Sequence, residues 1–198
     1  KGFDHPSTCG ECRAVKKASV GVEEFKAIDE NNNKVVNSMS TATAMCRDSI
    51  LAASLTQLGI AAIKNVRVQH CREAFAVRID AISDCSGDGP AWSVCYSGDC
   101  RPSPAFIELG RDCTLCIHEA TFEDSMAEDA RIKKHCTITE AIDVALAMNA
   151  YRCVLTHFSQ RYPKLPTLPS RASSKVIMAF DSLSFSLANL RWAPLSTP

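Results

Sequence analysis

The feature that most limits what this chain can fold into is a change of hydrophobic period along it. Phe75, Val77 and Ile79 alternate with Ala76, Arg78 and Asp80, and after a turn over 83–90 the residues Trp92, Val94 and Tyr96 alternate again. Successive side chains of a strand point to opposite faces, so this spacing predicts a hairpin of two half-buried strands. Downstream the period lengthens. Ser103-Pro104 is a cap followed by proline in the first turn of a short helix that reaches Leu109 and stops at Gly110. Thr121 with Asp124, and Thr137 with Glu140, match the capping box, in which hydroxyl and carboxylate each satisfy a free backbone N–H. They predict helices over 122–134 and 138–149, the second with Ile138, Ala141, Ile142, Ala145 and Leu146 along one side. Strands are expected over 114–117 and 151–156, then Lys175 to Phe180 leading into an alternating segment at Leu183, Phe185 and Leu187. Upstream, Thr43 caps a helix to about Leu58, whose face of Ile50, Leu51, Leu55 and Leu58 is expected to be core, with Gly59 as its stop. Strands alternating with helices give an α/β (α+β) layered class.

Composition narrows the function. Lysine plus arginine and aspartate plus glutamate stand at 22 each, so no net field attracts a polyanion from a distance, and any nucleic-acid contact here is a local patch. No apolar run reaches the length of a membrane-spanning helix or resembles a signal peptide. The 11 cysteines have no regular framework, which points to a reducing compartment. Cys113 and Cys116 lie three apart on an expected strand, where they face opposite sides and act as small hydrophobes rather than as joint metal ligands. Cys9 and Cys12 sit on a loop that can clip a metal only with further partners.

The chemistry is concentrated between His70 and Lys164, which holds four of the five histidines. His70 precedes one expected strand, Asp99 follows another, and His157 ends a third, so all three sit where rigid scaffolds present functional side chains. Imidazoles and a carboxylate on separate loops are donors for zinc or another divalent ion, provided the fold brings them together. Asp99 equally suits an Asx turn. Glu119 and His135 suggest a carboxylate orienting an imidazole that exchanges a proton near neutral pH, or a hydrogen bond between packed elements. His118, on the opposite strand face from Glu119, is expected to be a buried structural partner. Cys136, beside His135, has no accompanying oxyanion-hole signature and is not read as a nucleophile.

The order of five strings resembles long-form transfer RNase Z, a tRNA 3′-processing endoribonuclease of the metallo-β-lactamase fold. The strings are His70-Cys71 with Ala74-Phe75, Ser97-Gly98-Asp99, Ile117 to Asp124 (IHEATFED), His135-Cys136-Thr137 and Leu155 to Lys164 (LTHFSQRYPK), with a weaker one at Lys175 to Asp181. The resemblance implies the C-terminal portion of an αβ/βα sandwich and a site for two Zn2+ ions, with His70 a ligand of one, His157 of the other and Asp99 bridging both. It further implies that Glu119 positions His135, and that His135 protonates the leaving 3′ oxygen when precursor tRNA is cut. The expected products are a tRNA with a 3′ hydroxyl and a trailer with a 5′ phosphate.

Two departures stand out. Cys100 replaces the threonine that many relatives carry after the aspartate. The HxHxDH motif, which supplies the other ligands in that family, is absent from all 198 residues. Since the chain starts with Lys1, it is expected to be the C-terminal part of a catalytic domain whose upstream part supplies that motif, and to be inactive alone. The expected division is 1–64 as loops with one helix, 65–190 as the catalytic portion and 191–198 as a tail, in a nuclear or mitochondrial protein without membrane contact. The competing readings are a non-catalytic RNA-processing subunit of the same fold that has lost its metal motif, and a hydrolase of small phosphodiesters.

Overall fold

The computed structural model describes residues 51–83, 91–159, 168, 172 and 174–196. Residues 51–57 are helical (α1), and the turn into the sheet uses Gly59 at φ 71°, a left-handed conformation that costs glycine little. The strands β1 (Ile60–Arg67), β2 (Phe75–Ala81), β3 (Ser93–Tyr96), β4 (Leu115–Glu119), β5 (Arg152–Thr156) and β6 (Val176–Met178) form one sheet in sequence order. β1, β2 and β3 pair antiparallel, whereas β3 through β6 pair parallel. Parallel neighbours need crossovers. They are supplied by α2 (Pro104–Leu109) between β3 and β4, and by α3 (Ala127–Lys133) and α4 (Ile138–Ala147) between β4 and β5.

One face of the sheet is covered by α2 and α4. Its buried side chains include Ala76, Cys95, Cys116, Cys153, Leu155 and Val176, packed with Phe106, Ile142 and Met148. Alanine and cysteine leave little bulk above the strands, so the helices sit close. Gly110 shows the same economy, since a Cβ there would lie 2.5 Å from Met148 Sδ. On the opposite face Leu115, Val154 and Ile177 pack with Leu190, carried by a 3₁₀ segment at Leu187–Ser196. The same face is open further along, with Phe75 and Tyr96 at 40% and 46% exposure.

The hairpin, the capped α2 and the capping box of α4 are as expected. Ser103 Oγ accepts from Phe106 N, and Thr137 and Glu140 satisfy each other's backbone at α4. Several expectations need correction. β1 has no strict alternation and begins at Ile60, within the stretch expected to contain only loops and a helix; a register shift between Ile60 and Ala62 breaks its period. The α1 face expected in the core is open, with Leu51 46% and Leu58 72% exposed. Thr121 does not cap a helix. A 3₁₀ turn at Asp124–Met126 leads into α3, and Asp124 accepts instead from Thr139 N and Oγ1 at the start of α4. Residues 183–187 form no strand, and the expected tail from Arg191 continues the 3₁₀ segment. Thr43, Ile50, Cys9, Cys12 and residues 160–164 of the LTHFSQRYPK string lie outside the described residues.

Leu155 is fully buried at the centre of the helical face. Leu155→Ala is expected to cost about 2–5 kcal/mol and Thr137→Ala about 1 kcal/mol of unfolding free energy in the full-length protein, read from urea midpoints.

Candidate active site

The C-terminal ends of the parallel strands converge on one edge, where open α/β sheets place their ligands. Asp99 follows β3, Glu119 closes β4 and His157 follows β5. His135 enters from the break between α3 and α4, and His70 from the loop between β1 and β2. That break is fixed by local pairing. Phe122 N donates to Cys136 O at 3.1 Å and Ile138 N to Phe122 O at 3.0 Å, a parallel bridge that holds His135 over the strand ends.

At the centre lies the Glu119 carboxylate, 2% exposed and fully engaged. Oε1 accepts from Cys100 N at 2.9 Å and faces His135 Nδ1 at 2.8 Å. Oε2 accepts from Thr121 N, Thr121 Oγ1 and Cys136 N at 3.1, 2.8 and 3.1 Å. A carboxylate only accepts, so this geometry places a proton on His135 Nδ1 and leaves Nε2 as the working nitrogen. The ring sits between its neighbours, 4.7 Å from the His70 ring and 5.6 Å from that of His157.

Hydrogen bonds likewise select the free nitrogen of the two outer histidines. His70 Nδ1 lies 3.0 Å from Lys134 O, a carbonyl that only accepts, so its Nε2 lone pair is left for a ligand. Thr121 Oγ1 gives its single proton to Glu119, and so accepts from His157 Nδ1 at 2.7 Å. The Nε2 lone pair of His157 is then also free. Asp99 stands between them, with Oδ2 3.9 Å from His70 Nε2 and Oδ1 3.7 Å from His157 Nδ1. His70, Asp99 and His135 offer donor atoms within 4.8 Å of one another, as do Glu119, His135 and His157. Imidazoles whose Nδ1 is committed to an acceptor, around a half-exposed carboxylate, fit a divalent cation.

Two features were not apparent from sequence. His157 has φ 63°, a left-handed conformation unusual for a residue with a Cβ, which turns its ring back over the strand ends. Arg101 joins three of the site's loops. Its backbone N donates to Gln69 O at 3.0 Å, beside His70, while its guanidinium bonds both Glu140 oxygens and the His135 carbonyl. A basic residue two places after a candidate ligand was the only signal available. Gly98, at φ 58° with its Cβ position 3.3 Å from Phe75 O, allows the tight turn that presents Asp99.

The expectation that Cys113 and Cys116 face opposite sides of one strand needs correction: β4 begins at Leu115, so Cys113 precedes it, and both side chains are buried in the same core on the helical face. They act as small hydrophobes, as expected: all are free thiols, with Cys113 hydrogen-bonded to Cys95 and Cys116 to Cys153. Cys136 is buried, and its hydrogen bond with Cys100 together with burial pushes its thiol far above the ordinary range, which disfavours a nucleophilic thiolate.

No family model matches the chain. It is 41% identical over 164 residues to a mitochondrial tRNase Z of Arabidopsis thaliana, covering 81% of this chain and 18% of that protein. To the mitochondrial ribonuclease Z of Drosophila melanogaster it is 37% identical over 166 residues, covering 80% and 21%. To human zinc phosphodiesterase ELAC protein 2 it is 37% identical over 151 residues, covering 76% and 17%. The chain thus spans between 17% and 21% of these relatives' length. Its fold is similar to that of the yeast long-form RNase Z crystal structure, with a TM-score of 0.65 and 37% identity over 74% of this chain and 20% of that one. Human short-form tRNase Z gives a TM-score of 0.50 at 29% identity, covering 63% and 42%.

His118 is the buried partner that the strand pattern implied. It is fully buried, with Nδ1 2.7 Å from the Glu119 carbonyl. Burial holds its pKa below the ordinary 6.5. Below that pH the unfolded chain takes up a proton that the fold resists, so this contribution to stability is complete above about pH 6.5 and is lost as pH falls toward the depressed value. The urea midpoint of the full-length protein is therefore expected to decline on acidification from pH 7 to 5, with a shallower decline in His118→Gln, as followed by fluorescence.

Proposed function

Because the chain belongs to the long-form ribonuclease Z family, we propose that it carries the proton-donating half and part of the metal site of a tRNA 3′-processing endoribonuclease. The observation that carries this reading is the Glu119–His135 pair, held at 2.8 Å beside Asp99, His70 and His157 at the ends of parallel strands. A site adapted only for binding has no need of a carboxylate with all its acceptor capacity engaged in aiming one imidazole.

The proposed ligands of a metal centre are His70, Asp99 and His157, with two zinc ions as the proposed occupants; His70 and Asp99 share one donor group with His135, and His157 shares another with Glu119 and His135. The donor chemistry favours such a cation, and the human relative's name, zinc phosphodiesterase, points the same way. His70 and His157 would each hold one ion through Nε2, and Asp99 would offer one oxygen to each. Bound there, a two-ion centre activates water and offsets charge on the attacked phosphate. The remaining ligands are proposed to come from sequence outside this chain, since the HxHxDH motif is absent from it.

The chain's own groups account for the departing side of the reaction. Precursor tRNA would present the scissile phosphodiester over the strand ends, with its bridging 3′ oxygen toward His135 Nε2. Water adds to phosphorus as it gives up a proton to solvent, the bond to the 3′ oxygen breaks, and that oxygen takes a proton from His135, which solvent then restores. Glu119, fixed by backbone N–H groups, keeps the ring oriented and stabilises its cationic form before transfer. The products are a 3′ hydroxyl on the tRNA and a 5′ phosphate on the trailer. The mitochondrion is the proposed compartment, as named for the plant and fly relatives, with the nucleus resting on the family resemblance alone. Among the described residues no helix is long and apolar enough to cross a membrane.

Cleavage of a precursor tRNA by the full-length protein tests this. Asp99→Ala is expected to abolish cutting, while His135→Ala lowers kcat by about 10²–10⁴ and removes the limb of the pH profile that reports a general acid. Full activity in Asp99→Ala would sink the reading. Cleavage by residues 1–198 alone would overturn the proposal that the other ligands lie elsewhere.

A further inference from the structure

Behind the Glu119 cradle, on the helical side of β4, lies a second group of donors that the reaction above does not use. Cys100, His118 and Cys136 are each at 0% exposure, and one ligand atom from each lies within 4.8 Å of the other two. His118 Nδ1 is committed to the Glu119 carbonyl, and its Nε2 is buried without a hydrogen-bond partner. An unpaired polar nitrogen inside a core is destabilising, so the fold keeps it only where something offsets that cost.

We infer that Cys100, His118 and Cys136 form a separate structural site for a thiophilic divalent ion of the zinc class. Without an ion the buried thiols stay protonated; a bound dication supplies the opposite charge that deprotonates them, and two thiolates with one imidazole are a donor set that zinc favours. Binding exchanges two thiol protons for one dication, giving a neutral Cys2His centre and releasing two H+. The Glu119 carboxylate lies close by and is itself held by Cys100 N and Cys136 N. Zinc bonds of about 2.3 Å to sulfur and 2.0–2.1 Å to nitrogen bring ligand atoms to roughly 3.4–3.8 Å of one another, a contraction of about 1 Å from the present limit. The Cys100 carbonyl offers a fourth donor. That oxygen now accepts from Cys136 Sγ at 3.0 Å and is freed when the thiol proton leaves.

The site has a mechanical consequence. An ion that ties Cys100 to Cys136 fixes the two residues whose N–H groups grip Glu119, and through Glu119 it fixes the His135 ring. It acts as a positioning element independent of the ions at His70, Asp99 and His157, and does not depend on the function proposed above.

The test uses Co2+ titrated into metal-depleted full-length protein, followed in the near ultraviolet, where thiolate ligands give charge-transfer absorption and histidine or carboxylate ligands do not. The expected result is a band of the strength of two thiolates per ion that persists in Cys9→Ser/Cys12→Ser and is lost in Cys100→Ser/Cys136→Ser. No band at saturation, or a band that survives Cys100→Ser/Cys136→Ser, overturns the site. If circular dichroism shows that the latter variant is unfolded, zinc-edge X-ray absorption on the Cys9→Ser/Cys12→Ser protein decides instead. A zinc–sulfur shell supports the site, and a shell of nitrogen and oxygen alone removes it.

Discussion

The buried carboxylate of Glu119 is the interaction on which the rest of the site depends. Placing a carboxylate at 2% exposure is costly unless its lone pairs are satisfied. Here they are met by three backbone N–H groups, one hydroxyl and one imidazole, from segments after β3, after β4 and before α4. Removing that carboxylate would leave several donors unpaired at once. The strand ends, the break at His135 and the turn after Asp99 are therefore mutually fixed rather than separately placed.

The sheet makes this meeting possible. Four parallel strands end on one edge, and their crossovers leave loops there that need not pair with one another. Arg101 closes the gap between those loops by bonding the His70 side through Gln69 and the His135 side through Glu140. Glu140 serves two elements, capping α4 and holding Arg101, so helix initiation and site geometry share one carboxylate. The tautomers of His70 and His157 follow from the same scaffold, because a carbonyl and a hydroxyl whose proton is already committed each dictate which nitrogen carries hydrogen.

How far this could be read from the residues depended on whether a signal was local. The hairpin, the proline-started α2 and the α4 capping box are short-range patterns, and each appears in place. Thr121 and Asp124 form an equally good local pattern that was overridden. The hydroxyl is worth more between Glu119 and His157, and the carboxylate more at Thr139, than either is as a cap. β1 was missed because a register shift removes its period, and the open α1 face because helical spacing shows which residues share a side without showing what covers it.

The sequence by itself determined which residue types are candidates for the proposed chemistry, in what order, and that Glu119 and His118 face opposite sides of one strand. These follow from composition and from the two-residue period of a strand. Only the tertiary structure decided that His70, Asp99, His135 and His157, spread over 88 positions, reach one edge, and that His157 turns inward at φ 63°. It also decided that Cys100 and Cys136 meet behind Glu119. The physical reason is that such contacts depend on parallel strand pairing and helix packing, which join segments through space that no local spacing connects.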